Sequence, residues 1–84
     1  MNQVKILVAE DEEGIRTGLV ATLNLEGYTA LACASGEQAL ELFKSEKPNL
    51  VILDLMMPGV GGLEVCKALR ASSPSLPIII LTAK

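Results

Sequence analysis

Leu50-Val51-Ile52-Leu53-Asp54 sets four apolar residues directly before an acid, and the reading of that stretch decides the fold. A continuous apolar run of this length fits a strand buried on both faces, as in a parallel sheet covered by helices; a half-exposed strand would alternate. A second run, Ile6-Leu7-Val8-Ala9, leads likewise into acids, Glu10-Asp11-Glu12-Glu13. Open α/β sheets bind ligands in the crevice outside the carboxyl ends of their strands. Two strands ending in acids therefore predict one shared anionic pocket, and such a pocket calls for a divalent cation.

Outward from these runs the pattern alternates. Residues 4–9 form the first strand. Ile15, Leu19 and Leu23 then recur at helical spacing with Val20 alongside, and Gly27 follows as a C′ residue. Residues 28–34 read as a second strand. Ser35 with Gln38 three positions on makes a capping box for a second helix, whose buried side carries Ala39, Leu40 and Phe43. Lys47-Pro48 stops it, since proline lacks the N–H donor and excludes helical geometry from its predecessor. After the strand at residues 50–53, the loop 55–62 holds one proline and three glycines, Gly59, Gly61 and Gly62. Val65, Cys66 and Leu69 give a third helix its inner face, Ser72-Ser73-Pro74 ends it, and Ile78-Ile79-Ile80-Leu81 reads as a fourth buried strand. The order βαβαβαβ implies a parallel sheet with helices on both faces.

Composition narrows the function. The chain has 84 residues, enough for one small domain. It carries 7 basic and 10 acidic residues, a formal charge of -3 and no histidine. No basic stripe is present for direct nucleic-acid binding. Without histidine the commonest general base and transition-metal ligand is missing, so carboxylates are the main reactive groups and favour Mg²⁺, Mn²⁺ or Ca²⁺. Cys33 and Cys66 lack CxxC spacing and lie among apolar residues, as reduced core thiols do. No apolar stretch approaches the roughly 18 residues of a membrane span, and the four apolar residues after Lys5 are too few for an export signal. A cytoplasmic location is expected.

The chain resembles the receiver domain of two-component response regulators. The resemblance is carried by Ile6-Leu7-Val8-Ala9-Glu10-Asp11-Glu12, Val51-Ile52-Leu53-Asp54-Leu55-Met56-Met57-Pro58-Gly59, Gly62-Leu63-Glu64 and Ile80-Leu81-Thr82-Ala83. Each is weak alone, but their order and distances put an acid pair, a lone acid and a hydroxyl at the ends of three different strands. The resemblance implies a flavodoxin-like doubly wound sheet with strand order 2-1-3-4 over this length. It implies that Asp54 accepts a phosphoryl group from a histidine kinase's phosphohistidine, or from a phosphotransfer protein or small donor. Glu10 and Asp11 then hold Mg²⁺, Asp11 and Asp54 directly and Glu10 mainly through water, while the Met56 carbonyl completes the site. Thr82 is the hydroxyl that contacts the phosphoryl group, and the Ala83 amide contacts it too. Such a module phosphorylates and dephosphorylates itself and is not a turnover enzyme. The physical logic is charge: three carboxylates repel one another and an incoming phosphoryl group, and a hard cation offsets that repulsion.

Two departures accompany the resemblance. Gly61 stands where the family usually has an acid, so the third helix loses an N-cap carboxylate. Receiver domains run to about five βα units, whereas the sequence ends at Lys84, before a fourth helix and a fifth strand with its lysine. The expectation is an N-terminal portion whose fourth strand presents an apolar edge, open to a second copy or a domain swap. A different class of function follows from that edge, an interaction module that does not sustain phosphorylation. A phosphohydrolase of the haloacid dehalogenase kind fits less well, because Asp54-Leu55-Met56 lacks the second acid of its DxD pair.

Overall fold

Both apolar runs become the inner strands of one parallel sheet. The computed structural model describes residues 3–81, with the elements β1 (Lys5–Ala9), α1 (Glu13–Leu25), β2 (Thr29–Cys33), α2 (Gly36–Glu46), β3 (Leu50–Asp54), α3 (Gly62–Ser72) and β4 (Ile78–Leu81). The strand order is β2-β1-β3-β4, and every pairing is parallel. Successive side chains of a strand point to opposite faces, so the unbroken apolar runs serve two cores at once. Leu7, Ala9, Val51 and Leu53 pack with Ala39, Val65 and Leu69 of α2 and α3, while Ile6, Val8 and Ile52 meet Leu19 and Leu23 of α1.

The helix ends follow their sequence signals. Beyond α1, Gly27 takes φ 93°, the Gly27 N–H donates to the Asn24 carbonyl and the Tyr28 N–H to the Leu23 carbonyl, both at 3.1 Å. This is the paired bonding of a Schellman motif. Ser35 caps α2 by accepting from the Gln38 N–H at 3.3 Å, but the Gln38 side chain reaches back to the Ala34 N–H at 3.1 Å rather than to Ser35. These two ends explain why β2 is shorter than the expected 28–34. Tyr28 is committed to the α1 terminus and Ala34 to the α2 cap. At the far end of α2, Lys47 turns left-handed at φ 49° ahead of Pro48.

One expectation is corrected at β4. The run Ile78–Leu81 forms the strand, but it is an edge strand and not a fully buried one: Ile79 is 49% and Ile80 38% exposed. Among the described strands it has a neighbour only in β3, so its outer side lacks the cover that β1 and β3 receive.

Candidate metal and phosphoacceptor site

The register of the inner strands brings the acids together. Ala9 of β1 pairs with Leu53 of β3, so the next residues, Glu10 and Asp54, emerge side by side at the carboxyl edge of the sheet. Asp54 is 0% and Glu10 1% exposed, whereas Asp11 lies open to solvent. One carboxylate oxygen from each of Glu10, Asp11 and Asp54 falls within 4.8 Å of the others.

The two buried acids are held by nearby backbone. The Glu10 N–H donates to the Cys33 carbonyl at 3.1 Å, carrying the β1–β2 pairing one residue past the strand. Its carboxylate accepts from the Glu12 N–H at 2.9 Å. Asp54 Oδ1 accepts from the Met56 N–H at 3.1 Å, an Asx turn that orients the carboxylate and starts the following loop. The Met56 side chain is 62% exposed. Glu12 and Glu13 are exposed at the start of α1. Gly61 caps α3 without a side-chain bond.

Gly62, a loop glycine of the sequence, and Gly36, which carried no reading there, hold this loop in place. A Cβ on Gly62 would overlap the Asp54 carbonyl and lie 2.6 Å from the Leu55 Cα, and one on Gly36 would overlap the Val60 carbonyl. The missing side chains let α3 and α2 close directly onto the segment that follows Asp54.

Arg16 is the other residue that sequence reasoning missed. From the first part of α1 its Nη1 donates to the Glu10 carbonyl at 2.9 Å and to the Asp11 carbonyl at 3.3 Å. A sequence signal existed: a cation near a helix N-terminus opposes the macrodipole, so its presence there asks for a local partner.

Burial raises the pKa of Glu10 above its usual 4.5, and hydrogen bonding to the Asp54 and Asp11 carboxyls adds to the rise against the lowering effect of the Glu12 N–H. Crowded carboxylates of this kind are what a cation relieves. Three carboxylate oxygen donors, with Asp11 open to solvent, fit a hard cation such as Mg²⁺ or Mn²⁺. Burial likewise pushes the Cys33 thiol up, and both cysteines are free, Cys33 buried and Cys66 half-buried. Thr82, Ala83 and Lys84 lie outside the described residues. No helix among the described residues is long and apolar enough to cross a membrane.

Comparison with known proteins agrees with this geometry. Residues 6–84 match the profile of the family described as response regulator receiver domain. The chain is 52% identical over 83 residues to a protein of Porphyridium aerugineum named probable transcriptional regulator ycf27, covering 99% of this chain and 34% of that protein. It is 48% identical over 80 residues to the Bacillus subtilis alkaline phosphatase synthesis transcriptional regulatory protein PhoP, covering 95% of this chain and 33% of the relative. The chain thus spans about a third of the length of these curated relatives. Among solved structures it is similar to the Thermotoga maritima response regulator TrrA in complex with Mg(2+)-BeF, at TM-score 0.91 and 44% identity over 98% of this chain and 71% of that one. The Vibrio cholerae chemotaxis protein CheY4 superimposes at TM-score 0.92 with 32% identity, over 99% of this chain and 71% of its own.

Proposed function

The chain belongs to the response regulator receiver domain family, and from that premise we propose that it is the phosphoryl-accepting module of a two-component phosphorelay, with Asp54 as the acceptor. The observation that carries this reading is the buried Asp54 carboxylate at the end of β3, within 4.8 Å of the Glu10 and Asp11 oxygens. A carboxylate oxygen of Asp54 attacks phosphorus, the P–N bond to the donor's imidazole breaks, and an acyl phosphate forms. Water later cleaves it, so the module returns to its starting state without turning over a separate substrate. The donor is a sensor histidine kinase or a phosphotransfer protein, met in the cytoplasm.

Glu10, Asp11, Asp54 and the Met56 carbonyl would hold Mg²⁺, with Mn²⁺ as a substitute, and the bound cation offsets the negative charge of the transferring group. The description of the Thermotoga relative with Mg(2+)-BeF supports that choice of ion. The chain's own part is to position the nucleophile and exclude water from its inner side, since phosphoryl transfer depends chiefly on alignment and electrostatics. Thr82 through its hydroxyl and Ala83 through its amide would contact the phosphoryl oxygens. The test is intact mass after incubation with acetyl phosphate and Mg²⁺. One phosphoryl adduct on the unaltered chain and none on Asp54→Asn is the expected result, and no adduct at high donor concentration would sink the reading.

A second reading draws on the exposure of Ile79 and Ile80 along β4. Two copies of the chain pairing through this edge would form an interaction module independent of phosphorylation. Light scattering decides it: a dimer supports the pairing and a monomer at high concentration rejects it.

A further inference from the structure

We infer that Arg16 is a positioning residue for the carboxylate pocket, its guanidinium bracing the β1–α1 turn in the shape that presents Glu10 and Asp11 to a divalent cation. The inference rests on the metal-holding part of the function proposed above and not on phosphoryl transfer.

Arg16 accounts for three consecutive carbonyls. Its Nη1 donates to Glu10 at 2.9 Å and to Asp11 at 3.3 Å, while its own backbone N–H donates to the Glu12 carbonyl at 2.9 Å. The Glu10 and Asp11 carbonyls precede the helix and belong to no helical ladder. On the donor side, the Glu10 N–H reaches Cys33 at 3.1 Å and the Glu12 N–H reaches the Glu10 carboxylate at 2.9 Å. Asp11 sits between these anchors with an exposed side chain, and its carboxyl meets that of Glu10, so the shape of the turn bears directly on where the two carboxyls lie. Removing the guanidinium takes one shared donor from the Glu10 and Asp11 carbonyls together. Outer residues that fix the ligands of a metal matter to its affinity for this reason.

Charge and bracing predict opposite signs. Arg16 is a cation close to a cation site, so electrostatics alone would make its neutralisation tighten Mg²⁺ binding. Loss of bracing would weaken it. Titration calorimetry of the full chain with Mg²⁺, repeated with Mn²⁺ by electron paramagnetic resonance, reads the difference without any phosphodonor. Arg16→Met is expected to raise the Mg²⁺ dissociation constant roughly tenfold. Arg16→Lys, which keeps the charge and one donor nitrogen on a shorter side chain, is expected to lose only about threefold. Unchanged or tighter binding by Arg16→Met overturns the inference. If that variant does not fold, Arg16→Gln, which also removes the guanidinium charge, decides, and unchanged or tighter binding then overturns the inference. Failure of the unaltered chain to bind either ion removes the pocket and this inference together. Binding without a phosphoryl adduct would remove only the phosphoryl reading.

Discussion

Glu10 holds its carboxyl in a place that suits a proton or a metal better than it suits a bare charge. With a folded pKa above its usual 4.5, Glu10 binds protons more tightly in the folded chain than in the unfolded one. Its contribution to stability is therefore complete below about that value and is lost as pH climbs through the raised folded pKa. The metal-free protein should lose stability over that rise, and Mg²⁺ should restore it by binding the folded state alone. Replacing the charge tests the cause. Glu10→Gln keeps an oxygen to accept from the Glu12 N–H, so at neutral pH and without metal it should melt several degrees higher, about 1 kcal/mol corresponding to roughly 4–8 °C for a domain of this size. The same variant should bind Mg²⁺ more weakly in calorimetry. A lower melting point for Glu10→Gln would show that the carboxylate is comfortable in its pocket.

Among the elements, the glycines of helices and helix starts divide by what surrounds them. Gly18 lies within α1 with nothing within 4 Å of the position a Cβ would take, whereas Gly62 at the start of α3 presses on the Asp54 carbonyl. Gly18→Ala should raise stability by about 0.5–1 kcal/mol, because alanine restricts the unfolded chain without strain. Gly62→Ala should lower it by about 1–3 kcal/mol as the backbone around Asp54 is forced apart. Chemical denaturation of the two variants checks both signs. The sequence foretold elements well where a signal is periodic or tied to one residue type: the two-faced strands, Gly27 beyond α1, Ser35 before α2. It foretold poorly where two elements meet. The Gly62 contact joins α3 to β3, Arg16 spans a turn to reach main-chain oxygens, and the exposure of Ile79 and Ile80 depends on which strand is a neighbour. Nothing in the local spacing of those residues records their partners.

Across the whole molecule, parallel connections put all the helix N-termini near the carboxyl edge of the sheet. The acids of the pocket were legible because they end apolar runs, and their grouping follows from β1 and β3 being adjacent in the order β2-β1-β3-β4. Each helix also carries an acid in its first turn, Glu13, Glu37 and Glu64, while α2 and α3 carry Lys44 and Arg70 in their last. The chain is thus polarised, its acids gathered at the end around Asp54 with Arg16 the cation beside them, and Lys44 and Arg70 toward the other end. On the proposed function, a small anionic phosphodonor would approach that end against the field of the first-turn acids Glu13, Glu37 and Glu64, since one divalent ion together with Arg16 only balances the three pocket carboxylates. Dissolved salt shortens the reach of that field, to about 8 Å at physiological ionic strength. With Mg²⁺ kept saturating, added salt should therefore speed the phosphorylation of this chain by acetyl phosphate, the reverse of what salt does to an encounter steered by attraction.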